Sequence, residues 1–255
     1  MTMVQSGYGK IRAFNDFTAE EVNTAPTTVD HASATGALWN IGGGFTIKGY
    51  NLSDDKTLIE SVEDGLNGQV TLTTSDAADG DAIYCTTETC FKPSVNAPMV
   101  LETRLEMAAL TARQVFAGFS GTIADAQSDI CSGSTGTLTL AESNICGFLY
   151  DVGLTEAVNW YMVYNGGTTT GNTDASDVAS GVTPVVGQMD VLRVVIDNNG
   201  TARWYINGAL LQTVEGAVAP TAVFGGCVGA IATSAASATV TVDYIAVEAN
   251  RDWTI

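Results

Sequence analysis

Residues 190–214, DVLRVVIDNNGTARWYINGALLQTV, constrain the fold more than any other stretch of the chain. Val191, Arg193 and Val195 alternate with Leu192, Val194 and Ile196, the period of two that marks a strand with one covered face. Asp197-Asn198-Asn199-Gly200 comes next, residues that tolerate left-handed backbone angles, so the chain can reverse there. Ala202, Trp204 and Ile206 then share one face of a second strand, and Thr201, Arg203 and Tyr205 the other. Asn207-Gly208 is the strongest short hairpin signal in the sequence, and residues 209–214 run back as a third strand. The stretch reads as a three-stranded antiparallel meander. Leu192, Val194, Ile196, Trp204 and Ile206 are its expected core, with Arg193 and Arg203 together on the opposite face.

Short strand candidates recur over the rest of the chain, at 45–50, 58–62, 69–73, 82–85, 99–107, 115–120, 137–140, 147–151, 159–165, 223–231 and 239–248. Strands at this spacing, separated by Gly, Asn, Asp and Thr, indicate an all-β antiparallel sandwich. Helical periodicity is confined to a weak hint at 105–114 and a brief turn at 18–22. Residues 125–136 and 166–181 read as low-complexity loops, and neither a strong linker nor a fixed-period repeat divides the 255 residues. In the last strand Val240, Val242 and Tyr244 are expected on one face and Asp243, Ile245 and Val247 on the other. A covered Asp243 needs a cationic partner, for which Arg193 and Arg203 are the candidates.

Apolar residues make up 45% of the chain, enough for a substantial core, while 10 Lys+Arg against 28 Asp+Glu give a formal charge of −18. Such a surface repels phosphate backbones and anionic lipid, which argues against nucleic-acid and membrane partners. No stretch approaches the ~20 apolar residues of a membrane helix, and residues 1–12 lack the apolar run of a signal peptide. Synthesis in the cytoplasm without secretory export is therefore expected. Five cysteines stand at 85, 90, 131, 146 and 227. Cys85 and Cys90 can close a small loop, Cys131 and Cys146 flank a Gly/Ser/Thr-rich excursion, and Cys227 is left over. Paired and free thiols both remain open, whereas zinc needs tight thiolate pairs that this spacing does not supply.

Residues 1–12 form an expected N-terminal arm ahead of a sandwich spanning 13–255. The arm carries Lys10 and Arg12, with Met3, Val4, Tyr8 and Ile11 as scattered apolar contacts. So few contacts do not offset ~1–2 kcal/mol of backbone entropy per residue. Met3, Tyr8, Lys10 and Arg12 are thus the expected contacts to a partner, a sister copy or an underlying shell protein. The alternative is an edge strand at 11–17 laid along the chain's own sandwich.

A sequence of features here resembles a known superfamily. Glu102-Thr103-Arg104 leads into Phe116-Ala117-Gly118-Phe119, then comes the meander, then Val242-Asp243-Tyr244-Ile245 with Arg251 shortly after. The set resembles the concanavalin A-like jelly rolls, which include legume lectins, laminin-G-type modules, laminarinase-type glycoside hydrolases and some alginate lyases. It also looks like the tailed-phage virion proteins that use this fold for head decoration or fibres. The resemblance is clearest over residues 99–252 and weaker over 11–98. It implies fold more than function.

The chemistry of that superfamily is poorly matched. Laminarinase-type enzymes place carboxylates as E-x-D-x-x-E on one strand face at ~5 Å, and this chain contains no E-x-D. Glu102 and Glu106 share a face, but Arg104 stands between them, which reads as a salt-linked strand surface. Alginate lyases of this fold pair an R-x-E strand with a Gln-x-His strand; Arg104-Leu105-Glu106 matches the first, and the sole histidine, His31, lacks the glutamine. One remote histidine also defeats Ser/His/Asp logic, and Gly42-Gly43-Gly44 lacks the strand-to-helix context of a nucleotide loop. Asp174, Asp177 and the turn at Asp197 read as turn formers before calcium ligands. Trp39, Trp160, Tyr161, Tyr164 and Tyr205 are available for a sugar platform, although in strands that alternate apolar and polar residues most such aromatics are core. No cofactor is implied. The expected function is that of a non-enzymatic virion structural protein, a capsid decoration or head-fibre component on the particle exterior. Its expected partners are a major capsid or other virion protein, sister copies in a homo-oligomer such as a trimer, and a host surface glycan. A carbohydrate-binding module is the alternative, and a divergent polysaccharide-cleaving enzyme comes third.

Overall fold

The meander forms where its alternation places it. Strands β13 (Asp190–Ile196), β14 (Ala202–Ile206) and β15 (Ala209–Val214) are joined by tight turns in which Gly200, Asn207 and Gly208 take positive φ. Val194 lies opposite Trp204, whose ring is fully buried and whose Nε1–H donates to the Gly147 carbonyl at 2.8 Å, in the facing sheet. The computed structural model describes residues 9–18, 39–52, 59–62, 68–74, 80–111, 113–154, 159–233 and 236–252. His31, Met3, Tyr8 and the helical turn expected beyond Thr18 lie outside them.

The strands that precede the meander are β1 (Lys10–Asn15), β2 (Trp39–Gly42), β3 (Phe45–Lys48), β4 (Ile59–Ser61), β5 (Val70–Thr73) and β6 (Ala82–Thr86). A short helix α1 (Pro93–Asn96) leads to β7 (Met99–Glu106) and β8 (Arg113–Ser120), then β9 (Ser132–Ser134), β10 (Thr137–Thr139), β11 (Ile145–Asp151) and β12 (Tyr161–Asn165). A second short helix, α2 (Ala175–Val178), is capped by Asp174, whose carboxylate accepts from the Ser176 amide. After the meander come β16 (Gly225–Ala232) and β17 (Thr239–Asn250). One antiparallel sheet has the order β15-β14-β13-β7-β17-β5-β4, with β1 on β17 beside β5; the other runs β12-β11-β8-β16-β6-β3-β2. The hint of helix at 105–114 is instead the end of β7, a connecting loop and the start of β8. The loops at 125–136 and 166–181 hold β9 and α2, elements too short to leave a periodic signature.

Burial separates the two sheets. In β7 covered and half-exposed residues alternate, so one face meets the core and the other meets solvent. In β6, β8, β11 and β16 every residue is buried, so that sheet is covered on both faces. Its second cover is a roof made by residues 121–142, carrying the β9–β10 hairpin and the buried side chains Ile130, Cys131 and Leu138. The Tyr84 hydroxyl donates to the Ser128 carbonyl at 3.0 Å, and the Gly133 amide donates to the Asp151 carboxylate. The open sheet, the roofed sheet and the roof thus form three layers.

Three expectations are corrected. Lys10 and Arg12 belong to β1, paired with β17 from Lys10↔Asn250 to Asn15↔Ile245, so a boundary at residue 12 falls inside a strand. For Lys10–Asn15 this is the edge-strand alternative, held by backbone pairing, and residues 1–8 of the arm lie outside the described residues. In β17 a bulge between Val242 and Tyr244 shifts the register and reverses the phase. Ile245 and Val247 thereby join Val240 and Val242 in the core while Tyr244 emerges on the open face. Finally, all five cysteines are free: Cys85 is buried within β6 and Cys90 is exposed beyond it, while Cys131 in the roof and Cys146 in β11 are each buried as thiols.

Candidate functional site

The outer face of the open sheet is the candidate binding surface. Alternation along each strand selects its residues: Arg12 and Phe14 from β1, Glu102, Arg104 and Glu106 from β7, Arg193 from β13, Arg203 and Tyr205 from β14, Tyr244 and Glu248 from β17. Strand register then places them in rows. One row runs Phe14, Ala246, Glu102, Arg193, Tyr205, Leu210 across six strands. A groove of about 340 Å³ opens on this face, with Arg12 and Phe14 along one side, Arg193 on the other, and Glu102, Tyr244 and Glu248 between them.

Each arginine here has a carboxylate partner. Arg12 meets Glu248 at 2.9 Å and sits 4.9 Å from the centre of the Phe14 ring. Arg104 Nη1 donates to Asp243 at 2.9 Å, and Arg203 forks onto Asp197 at 2.6 and 2.8 Å. Arg193 lies 3.9 Å from Glu102 and 5.6 Å from the centre of the Tyr205 ring. The Tyr244 hydroxyl donates to Glu102 at 2.9 Å; partial burial, reinforced by that carboxylate, pushes its pKa up and keeps it a donor. The covered Asp243 therefore finds Arg104, the residue next to it across β7, and neither Arg193 nor Arg203. Glu102 and Glu106 do flank Arg104 on one face, but the links run across strands.

The outer face of the roofed sheet is closed to ligands. On β11 the residues turned toward the roof are Ile145, Gly147, Leu149 and Asp151, so alternate carboxylates are absent from this strand. Asp151 is fully buried: it accepts from Gln114 Nε2 at 2.7 Å, from the Gly153 amide at 2.7 Å and from the Gly133 amide. Burial outweighs these three donors and raises its pKa to about 6. Of the aromatics read as a sugar platform, Trp160, Tyr161 and Tyr164 are core residues and Tyr205 lies on the open face, while the side chain of Trp39 is outside the described residues. Phe14 and Tyr244 are aromatic members of the surface that strand patterns alone do not single out. Among the described residues no three His, Cys, Asp or Glu side chains converge as a metal site, and no helix is long and apolar enough to cross a membrane.

Two antiparallel sheets packed face to face with crossing connections define a jelly-roll sandwich. Within that class the fold is concanavalin A-like, of the lectin and glucanase kind. No protein-family model matches the chain and no curated protein matches it. Solved structures do. A protein of unknown function from Shewanella oneidensis MR-1 aligns over 100% of this chain and 92% of its own, at 12% identity and a TM-score of 0.57. The β-glucanase of Bacillus licheniformis aligns over 95% and 99%, at 11% identity and 0.52. The carbohydrate recognition domain of Emp46p aligns over 80% and 87%, at 10% identity and 0.51. At such identities the likeness is one of fold.

Proposed function

We propose that this chain is a non-enzymatic structural protein of a virion, a capsid decoration or head-fibre component displayed on the particle exterior. The observation that carries the reading is the roof. The outer face of the seven-stranded sheet is packed under the chain's own loop, with Asp151 held by three donors, so no open row of carboxylates for glycan cleavage is available there. What stays open is a grooved, ion-paired face suited to contact. The −18 charge supports an exterior position, since a lumen filled with DNA would repel it. Mass spectrometry of purified particles should find the chain, and the purified chain should co-sediment with particles lacking it. Deleting residues 1–8, which leaves β1 intact, should preserve the thermal midpoint and abolish that co-sedimentation, because Met3 and Tyr8 are the proposed shell contacts. Absence from particles would reject the assignment.

A second reading, a carbohydrate-binding module, is favoured by the groove itself. Half-exposed Phe14 and Tyr244, with ring centres 6.3 Å apart, stand beside paired guanidinium and carboxylate groups, a combination suited to sugar hydroxyls. Binding on a glycan array that is lost in Tyr244→Ala would select it over the first.

A further inference from the structure

The chain segregates its charge. Half of its ten basic residues, Lys10, Arg12, Arg104, Arg193 and Arg203, lie on strands of the open face. The outward side of the same sheet carries Glu60, Glu102, Glu106, Asp243 and Glu248, with Asp197 at the turn that Arg203 grips, so five cations meet six carboxylates there, while Asp190 of β13 turns inward to Trp160. The other five basic residues are left with 22 of the 28 acids. The open face is therefore close to neutral on a body that is otherwise strongly negative. Because its arginines already hold carboxylates, it offers no net attraction to a polyanion. Its complement is another balanced face, and this chain itself provides one.

The central row is also complementary to its own reverse. Read across the sheet it runs Leu210, Tyr205, Arg193, Glu102, Ala246, Phe14. Leu210 stands 53% exposed at one end, while Phe14 borders the groove at the other. A twofold axis between Arg193 and Glu102 sets Arg193 of one copy over Glu102 of the other, Tyr205 over the small Ala246, and Leu210 over the groove beside Phe14. Arg, Tyr and Phe, with Lys nearly absent, are the residue types that anchor protein interfaces. Seven strands at ~4.8 Å by about seven residues at ~3.3 Å give roughly 780 Å², close to the ~800 Å² per partner of a stable complex.

We infer that the open face is a self-association surface on which a second copy of this chain packs about a twofold axis, Arg193 against Glu102. The inference concerns the purified chain alone, so it stands or falls separately from particle binding. Light scattering and native mass spectrometry over a concentration series should find a dimer. Arg193→Glu and Glu102→Arg should each weaken it at least ~10-fold, since each sets like charges across the axis. Mixed in equal amounts the two variants should recover a one-to-one dimer, because the mixture restores both opposite-charge contacts. Leu210→Arg, at an exposed end of the row, gives a further reading should either variant fail to fold. A wild-type chain that stays monomeric up to about 1 mM overturns the inference, as do variants that dimerise unchanged. A monomer in which the Tyr205 and Leu210 side chains resist hydroxyl-radical footprinting at every concentration would show that the chain covers this face itself, and would overturn it too.

Discussion

Asp151 ties the roof to the sheet below it, and its protonation should be visible in the stability of the whole domain. Its carboxylate is buried with three hydrogen-bond donors and has a pKa of about 6 against an ordinary 3.8. The folded state thus binds this proton more tightly than the unfolded chain does. The resulting stabilisation is complete below the unfolded pKa and is lost as pH rises through about 6. A shift of that size is worth about 3 kcal/mol at ~1.36 kcal/mol per unit. Asp151→Asn has nearly the same shape and does not titrate. At one pH the variant both removes a buried charge and turns an amide N–H₂ toward a donor, so the offset between the proteins mixes two effects; the slope isolates one. Urea unfolding of both proteins from about pH 4 to 7 should show wild type losing about 3 kcal/mol relative to Asp151→Asn, most of it between the two pKa values. A difference that stays flat across that window, or that grows in favour of wild type as pH rises, would refute the account of Asp151 as a carboxylate whose burial outweighs its hydrogen bonds.

Trp204→Ala should cost about 3–5 kcal/mol in denaturant unfolding, from the cavity between the sheets and the lost bond to Gly147; Trp204→Phe should cost less than half of that. Arg104→Ala strands the covered Asp243 and should cost about 1–3 kcal/mol, a loss that Asp243→Asn in the same chain should reduce. A thiol reagent at neutral pH should titrate one cysteine, Cys90, in the folded protein and all five after denaturation, because Cys85, Cys131, Cys146 and Cys227 are buried and desolvation holds their thiols protonated.

The parts of the fold that repeat a local rule were legible from the residues. The meander, the buried Trp204 and the alternating β7 follow from a period of two and from Asn-Gly turns. The phase of β17 was not, because a bulge inserts Asp243 without altering composition, and alternation read through it puts Tyr244 on the wrong face. The roof was obscured for another reason. Its buried side chains, Ile130, Cys131 and Leu138, are sparse among Ser, Gly and Thr, so no periodicity announces them. A signal did exist in the strands beneath: β8, β11 and β16 are continuously apolar or small, as a sheet covered on both sides requires. The open face draws Arg12, Glu102, Arg193 and Tyr244 from four strands far apart in sequence. Only the order β13-β7-β17-β1 brings them together, and the lateral order of strands is not written in any one of them.

The pairing of β1 with β17 has a mechanical consequence. Lys10 opens the first strand directly across from Asn250, which closes the last, so the polypeptide enters and leaves the sandwich at neighbouring points on one edge. Whatever is fused to or pulled on at either side acts through the same spot. Tension between the two sides loads the ladder one rung at a time, peeling Lys10 from Asn250 first. Shear across all six pairs at once never arises.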